Sequence, residues 1–167
     1  HNLRTKQQEV TLEEELDGLE DYIYLQQMRF DGRITVEKQI LVDPARARLP
    51  SFTLQPVIEN AFSHGLKACE EGGRILLRVW MQGTRLVLTV ADNGKGMTPE
   101  ELDALQEKIA QSEQTGKSIG LGNISRRIGM LYPDGAMKIY SRPGHGTVVR
   151  FEIPQQVRQE VADSHEV

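Results

Sequence analysis

Two glycine-rich stretches carry residue types suited to holding a ligand through the backbone: Asp92-Asn93-Gly94-Lys95-Gly96-Met97 and Ser118-Ile119-Gly120-Leu121-Gly122-Asn123. Glycine has no Cβ, so the chain at Gly94 and Gly96 can turn tightly and approach a flat ligand closely. Neither stretch matches the GxxxxGK[ST] phosphate loop, and neither has the strand, GxGxxG and helix order of a dinucleotide fold. A DxGxG taken alone reads as a turn after a strand. The second stretch opens a helical pattern, where free backbone N–H groups and the positive end of the helix dipole favour an anion such as a phosphate. Upstream stand Glu59, Asn60, His64 and Lys67. Asn60 offers a neutral amide oxygen, a hard donor suited to magnesium. His64 and Lys67 follow it at helical spacing, on about the same face, where they can donate to phosphate oxygens. The order of these groups is more informative than any one of them: an asparagine-bearing helix, a strand ending in DxGxG, a polar loop, then GxG opening a helix.

The elements that must position these groups are legible in the periodicity. From Thr11 to Phe30 the apolar residues Leu12, Leu16, Leu19, Ile23 and Phe30 form one helical stripe. Thr11 and Glu14 predict a capping box at its start, with a frayed end before it. Asp31-Gly32 stops the helix, and Ile34, Val36, Ile40 and Val42 share the parity of a half-buried strand that Asp43-Pro44 ends. Pro50 introduces a second helix over Ser51 to Ala68, closed by Gly72-Gly73. Arg74 to Met81 and Arg85 to Ala91 read as an antiparallel hairpin whose second strand delivers the chain into Asp92. Pro99 to Ala110 is helical, Gln111 to Ser118 is a polar mobile loop, and Gly120 to Leu131 is helical again. Ala136 to Ser141 and Thr147 to Ile153 are two further strands, and the polar tail after Pro154 is expected to be loose. This order predicts an α+β domain, one sheet against helices, rather than a doubly wound parallel sheet.

With the motifs in this order, the chain resembles the ATP-binding catalytic domain of sensor histidine kinases, in the superfamily that also holds gyrase, mismatch-repair and heat-shock-chaperone ATPases. PSFTLQPVIENAFSHGLK (Pro50 to Lys67) resembles the family's N box, DNGKGM (Asp92 to Met97) its G1 box, and SIGLGNISRR (Ser118 to Arg127) its G2 box. LQPVIENAFSHG with GLGNISRR is similar to the LytS/YesM-type branch. TLEEELDGLEDYIYLQQMRFDGR (Thr11 to Arg33) resembles the segment that leads out of that branch's phosphoacceptor region. The resemblance implies a Bergerat-type two-layer α/β sandwich, a mixed sheet of about five strands against about three helices, with an N-terminal helical segment. It also implies a division into residues 1–32 (the end of the dimerisation and phosphoacceptor region), 33–154 (the ATP-binding domain) and 155–167 (a loose tail).

The resemblance further assigns roles. Asp92 reads the exocyclic amine of adenine, and Gly94 and Gly96 bring the backbone to base and ribose. Met97 and Leu121 line the pocket, and Thr147 stands beside the base. Asn60 holds Mg2+, and Glu59 orients or activates the attacking group, so both are candidate catalytic residues. His64, Lys67 and Lys117 lend charge or donors to ATP, with residues 98–117 as a lid over it, and Gly120 and Gly122 cradle its phosphates. The implied partners are ATP, a phosphoacceptor helix of the same protein or its dimer partner, and a response regulator receiver domain. Full-length protein is expected to be a homodimer anchored in the cell membrane, with this part cytoplasmic. The Leu12, Leu16, Leu19 and Ile23 stripe is expected to pack against the missing upstream helix. The family's acceptor lies in a proline-histidine-phenylalanine context that this chain lacks, and His145 sits in a Pro-Gly-His-Gly turn. The chain therefore reads as an ATP-binding fragment without its own acceptor.

Composition narrows the classes further. The 167 residues fit one domain with an appendage, and 38% hydrophobic with 26% charged residues suits a packed core. A net charge of -4 lacks the basic excess that nucleic-acid binding requires. No apolar run approaches the ~20 residues of a membrane helix. Cys69, the single cysteine, allows neither an internal disulfide nor a CxxC site, which fits a reducing setting. Two other readings stand beside the kinase. A conformational ATPase clamp of the same superfamily would need a downstream transducer domain, and a non-catalytic nucleotide-binding module would not need Glu59, Asn60, Asp92 and both glycine boxes intact.

Overall fold

The computed structural model describes residues 9–67, 69–115 and 120–156. The chain begins with β1 (Glu9–Thr11), which pairs antiparallel with β3 (Arg48–Pro50) in a two-stranded ribbon. A frayed end was expected there. The ribbon is held by long-range contacts that local sequence does not announce: Arg48 Nε stands 3.4 Å from Glu9 Oε2, and the Tyr132 hydroxyl donates to Glu9 Oε1 at 2.9 Å. Gln155, expected in the loose tail, also joins this corner, with its side-chain amide donating to the Arg48 carbonyl and accepting from the Arg48 N–H at 2.8 and 2.9 Å.

Helix α1 (Leu12–Arg29) starts as its sequence predicts. Thr11 Oγ1 accepts from the Glu14 N–H and donates to Glu14 Oε1, both at 3.1 Å, which satisfies a donor that would otherwise be orphaned. Asp31 and Gly32, both at positive φ, end it. The stripe does not face outward to a missing partner. Leu12, Leu19 and Ile23 are buried in the domain's own core, and the apolar side chains left exposed are Tyr24, Leu25 and Met28 on another side of the helix. Periodicity shows that a face is buried but not what buries it.

Five strands form the main sheet in the order β2-β4-β5-β7-β6. Here β2 (Ile34–Ile40) runs parallel to β4 (Gly73–Gln82), while β5 (Arg85–Asp92), β7 (Gly146–Pro154) and β6 (Ala136–Arg142) continue antiparallel. The expected β4–β5 hairpin is present, and the two further strands expected, β6 and β7, pair antiparallel with each other. Along β4, Ile75, Leu77 and Val79 point to the helical layer and Arg74 and Arg78 to solvent, the period-two pattern of a sheet covered on one side. The sheet and helix layer together make the expected mixed α+β sandwich.

Three further helices share that face with α1. Helix α2 (Leu54–Asn60) passes directly into one π-helical turn, Ala61–Gly65, in which the Leu66 N–H reaches back to the Ala61 carbonyl at 2.9 Å. The continuous helix expected over Ser51 to Ala68 is therefore shorter and changes pitch in the middle of its polar residues, a feature frequent at functional sites. Helix α3 (Pro99–Thr115) opens on a second capping box, Thr98 with Glu101, and has proline at its first position. It runs through Gln111–Thr115, so that part of the expected mobile loop is helical. Residues 116–119 lie outside the described residues. Helix α4 (Gly120–Leu131) completes the layer.

The start of α2 is fixed from two directions. Buried Glu15 on α1 accepts from the Phe52 and Thr53 N–H groups at 3.0 and 2.9 Å, and Arg127 of α4 donates to the Ser51 carbonyl. Burial pushes the Glu15 carboxyl above its usual range, opposed by those N–H donors and by the Arg127 charge. Phe52, held at φ +65, is a strained non-glycine residue in this clamp.

Candidate active site

A cleft of about 460 Å³ opens between α2 with its π turn, the ends of β5 and β7, and helices α3 and α4. Its walls are largely apolar, with Val57, Ala61, Val90, Met97, Leu105 and Leu121 among them. Its polar groups are few: Asn60, His64, Asp92, Lys95, Glu101, Lys108 and Thr147. A site of this build suits a flat, mostly apolar ring oriented by a few polar contacts, with cations for an anionic extension.

Asp92 ends β5, which places its carboxylate at the cleft wall. Its Oδ1 accepts from the Gly94 N–H at 2.9 Å. Burial pushes the carboxyl above its usual range, and the backbone N–H groups of Gly94 and Thr147 partly oppose that. The carboxylate retains acceptor capacity for a ligand donor.

The glycines beside it are required by packing. A Cβ on Gly94 would overlap the Gly65 carbonyl oxygen, to which the Lys95 N–H donates at 3.1 Å. A Cβ on Gly65 would stand 2.9 Å from Asp92 Oδ1. Gly96, at φ +67, lies against the Arg142 carbonyl of the β6–β7 turn, and the Gly144 N–H donates to the Lys95 carbonyl at 2.7 Å. The DNGKGM loop is thus threaded between the π turn and the β6–β7 turn with no room for side chains at these points. Ser141 completes the seam, accepting from the Met97 N–H at 2.8 Å and lying 2.8 Å from the Thr147 hydroxyl. Asn93 turns away from the cleft and bonds to the Arg74 N–H and the Gly72 carbonyl.

Of the residues singled out by sequence, Asn60, His64, Asp92, Gly96, Met97, Leu121 and Thr147 come together in this cleft, with Gly94 directly behind Asp92. Glu59 and Lys67 line a neighbouring cavity instead, which shares His64, Gly65 and Lys95 with the cleft. Gly120 is exposed and Gly122 buried at the start of α4, and only Leu121 between them lines the wall. Lys117 lies outside the described residues. Sequence reasoning missed Lys95, Gly65 and the α3 residues Glu101, Leu105 and Lys108. The α3 trio repeats at helical spacing and lies on one face, a signal open to a periodicity reading. Lys95 was inside a motif whose glycines drew the attention.

Comparison with known proteins agrees with this geometry. The family model described as histidine kinase-, DNA gyrase B-, and HSP90-like ATPase matches residues 51–157, and a second model, histidine kinase, matches residues 1–34. The chain is 32% identical over 157 residues to the sensor histidine kinase YpdA of Escherichia coli and 33% identical over 159 residues to the sensor protein LytS of Streptococcus agalactiae. These alignments cover 93% and 95% of the chain but 26% of each relative, so the chain spans about a quarter of their length. Among solved structures, the nucleotide-free catalytic domain of histidine kinase ThkA matches with a TM-score of 0.60 at 22% identity, covering 88% of this chain and 94% of that one. ThkA in complex with the response regulator protein TrrA matches with a TM-score of 0.62 at 20% identity, covering 89% of this chain and 41% of that one. At these identities the structural likeness speaks for the fold, whereas the family model spans most of the chain and takes in all three motif boxes but the first residue of the first. The chain belongs to the histidine kinase-, DNA gyrase B- and HSP90-like ATPase family.

Proposed function

We propose that this chain is the catalytic part of a two-component sensor histidine kinase. It binds ATP in the Asp92 cleft and transfers the γ-phosphoryl to a histidine on a segment upstream of it, for relay to a response regulator receiver domain. One observation carries the reading: a half-buried carboxylate stands in the wall of an apolar cleft that also presents Asn60, His64 and the ammonium groups of Lys95 and Lys108. Asp92 accepts from the exocyclic amine of adenine, and guanine, with a carbonyl there, is repelled. Apolar walls at Met97 and Leu121 hold the ring, and Thr147 lies beside it. Lysines 95 and 108, with His64, donate to the phosphates.

Magnesium fits the donors present. Among the described residues no cluster of three or more His, Cys, Asp or Glu could cage a metal, so an ion here would rest on the Asn60 amide oxygen, nucleotide phosphates and water. When bound it supplies neutralisation of phosphate charge. Asn60→Ala is expected to abolish magnesium-dependent tightening of ATP while leaving adenosine binding nearly intact, because on this reading the amide oxygen serves the metal and not the base. Titrations with and without magnesium check this, and equal enhancement in both proteins refutes the assignment.

The reading extends to residues 1–32 as the end of the dimerisation and phosphoacceptor region, 33–154 as the ATP-binding domain and 155–167 as a tail. It extends likewise to a homodimeric full-length protein held at the cell membrane. Among the described residues no helix is long and apolar enough to cross a membrane. Support for the acceptor and regulator comes from the names of the relatives and from the ThkA complex. The chain, a separately expressed upstream segment carrying the acceptor, and labelled ATP are mixed. Acid-labile, base-stable label is expected on the segment and none on the chain alone, since transfer is mainly positioning and no histidine here stands in an acceptor context. Label on the isolated chain, or none on the segment, overturns the proposal. His145, in the β6–β7 turn, is the control, as His145→Ala.

A further inference from the structure

Glu15, 8% exposed, is the only acidic or basic side chain buried among the described residues. A carboxylate is costly to bury unless hydrogen bonds satisfy it, and an apolar side chain of similar size would fill the space at less cost. Its partners show what it holds. Glu15 Oε1 accepts from the Phe52 N–H at 3.0 Å and Oε2 from the Thr53 N–H at 2.9 Å. Thr53 stands where a side chain ordinarily caps α2, yet its hydroxyl turns back and donates to the Pro50 carbonyl at 2.6 Å. The amides ahead of α2 are therefore held from another helix and not locally. The carbonyl side of the same turn is held from α4, where Arg127 donates to Ser51 O.

Residues 51–53 thus take hydrogen bonds from two helices far apart in sequence, one accepting and one donating. The opposite charges of Glu15 and Arg127 favour each other across the turn. Phe52, between the two grips, sits at φ +65, a conformation that a bulky residue keeps only where its surroundings impose it. The three parts come from three different motifs: α1 from the segment matched by the histidine kinase model, the turn from the start of the N box, and Arg127 from the end of the G2 box. Two of the held helices wall the nucleotide cleft, with Val57 and Asn60 on α2 and Leu121 on α4. Asn60 lies about two helical turns beyond Thr53, so a tilt at the turn is carried into the cleft.

We propose that Glu15 and Arg127 are positioning residues for the nucleotide: through the 51–53 turn they fix α2 and α4 at the separation the cleft needs, so that α1 docking and nucleotide binding stabilise each other. The inference rests on the cleft being the ATP site. Neither side chain lines the cleft, so both act through the turn. Release of α1 would leave the turn's amides unpaired and let α2 tilt. ATP held between α2 and α4 favours the spacing at which the turn meets Glu15. Linkage makes the two effects equal in size. A segment upstream of α1 then has a hold on the nucleotide site without touching ATP.

The test is calorimetry of ATP with magnesium on this chain, at a temperature at which thermal melts show each variant folded. Glu15→Gln keeps the side chain's shape but turns an NH2 toward one of the two amides, and Arg127→Met keeps its length and removes the donors. Each is expected to raise the ATP Kd about five- to twentyfold. The double variant should raise it no further than the worse single one, because both act on one turn. Val79→Ala, in the core of β4 away from the turn and the cleft, is the control for stability alone: its Tm falls while its ATP affinity stays within about twofold of wild type. Hydrogen exchange gives the reciprocal reading, since ATP should slow exchange along α1 in wild type and not in Arg127→Met. If Glu15→Gln does not fold, Arg127→Met, at a half-buried position, decides alone. Lowered Tm with unchanged ATP affinity in the single variants overturns the inference, as do effects that multiply in the double variant or α1 exchange that is indifferent to ATP. A wild type that binds no ATP overturns the nucleotide reading and this inference together.

Discussion

Asp92→Asn is expected to weaken ATP binding by about 1.5–3 kcal/mol, roughly ten- to a hundredfold, the usual worth of a hydrogen bond to a charged group. The amide must still satisfy the N–H groups of Gly94 and Thr147 that the carboxylate now accepts, so its oxygen is drawn to the backbone and its NH2 is left to confront the adenine amine. A pH signature accompanies this. Because burial raises the Asp92 pKa, wild-type affinity should fall as pH drops through that raised value and the carboxylate takes up a proton, while the asparagine variant lacks this component. Stability moves the other way. A raised folded-state pKa means that the folded chain holds the proton longer than the unfolded chain. The contribution is then favourable below the ordinary carboxylate range and lost as pH rises through the raised value. The unliganded asparagine variant should not show that loss. Calorimetric titration of ATP across acid to neutral pH, with thermal melts of the unliganded proteins, reads both. Unchanged ATP affinity in the variant removes Asp92 from the base-reading role.

Gly96→Ala is expected to be the most damaging single methyl group in the site. The residue sits at φ +67, where a Cβ costs about 1–2 kcal/mol, and the new carbon would overlap the Arg142 carbonyl oxygen with Gly146 O only 3.1 Å away. Both neighbours are backbone, so relief requires the β6–β7 turn to move and the Gly144 to Lys95 hydrogen bond to break. A total loss of about 3 kcal/mol or more, a fall in Tm of about 6–12 °C, and loss of ATP binding should follow. Gly83→Ala is the matched control, because Gly83 has φ +63 with nothing within 4 Å of its Cβ, and should cost only the conformational part. Equal melting losses in the two variants would show that the close approach at Gly96 is not what the loop depends on.

Much of the fold was legible because it is written in local pattern. The Thr11–Glu14 capping box, the stop at Asp31-Gly32 and the β4–β5 hairpin depend on residues a few positions apart, and each is found as the spacing predicts. The β1–β3 ribbon was not legible, because a three-residue strand has no periodicity and is held by Tyr132 and Gln155, far away in sequence. Helix α3 outran its expected end because a polar stretch of Gln, Ser and Glu is compatible with helix as well as loop, and its packing on α4 decides between them.

For the site, the sequence by itself determined which chemical groups are present and in what order: the Asp92 carboxylate with its two glycines, the Asn60 amide and the helix carrying Glu59 and His64. Motif spacing can do this because backbone turns and helix faces are local. Only the tertiary structure decided how those groups are divided in space. Glu59 and Asn60 are neighbours in sequence, yet a helix turns about 100° per residue. One therefore faces the cavity walled by Tyr22 while the other faces the nucleotide cleft. The same holds for α1, whose stripe announced burial without naming a partner. It packs on this domain because Leu12, Leu19 and Ile23 find its core, and that docking brings Tyr22 and Glu15 against the two ends of the N-box segment.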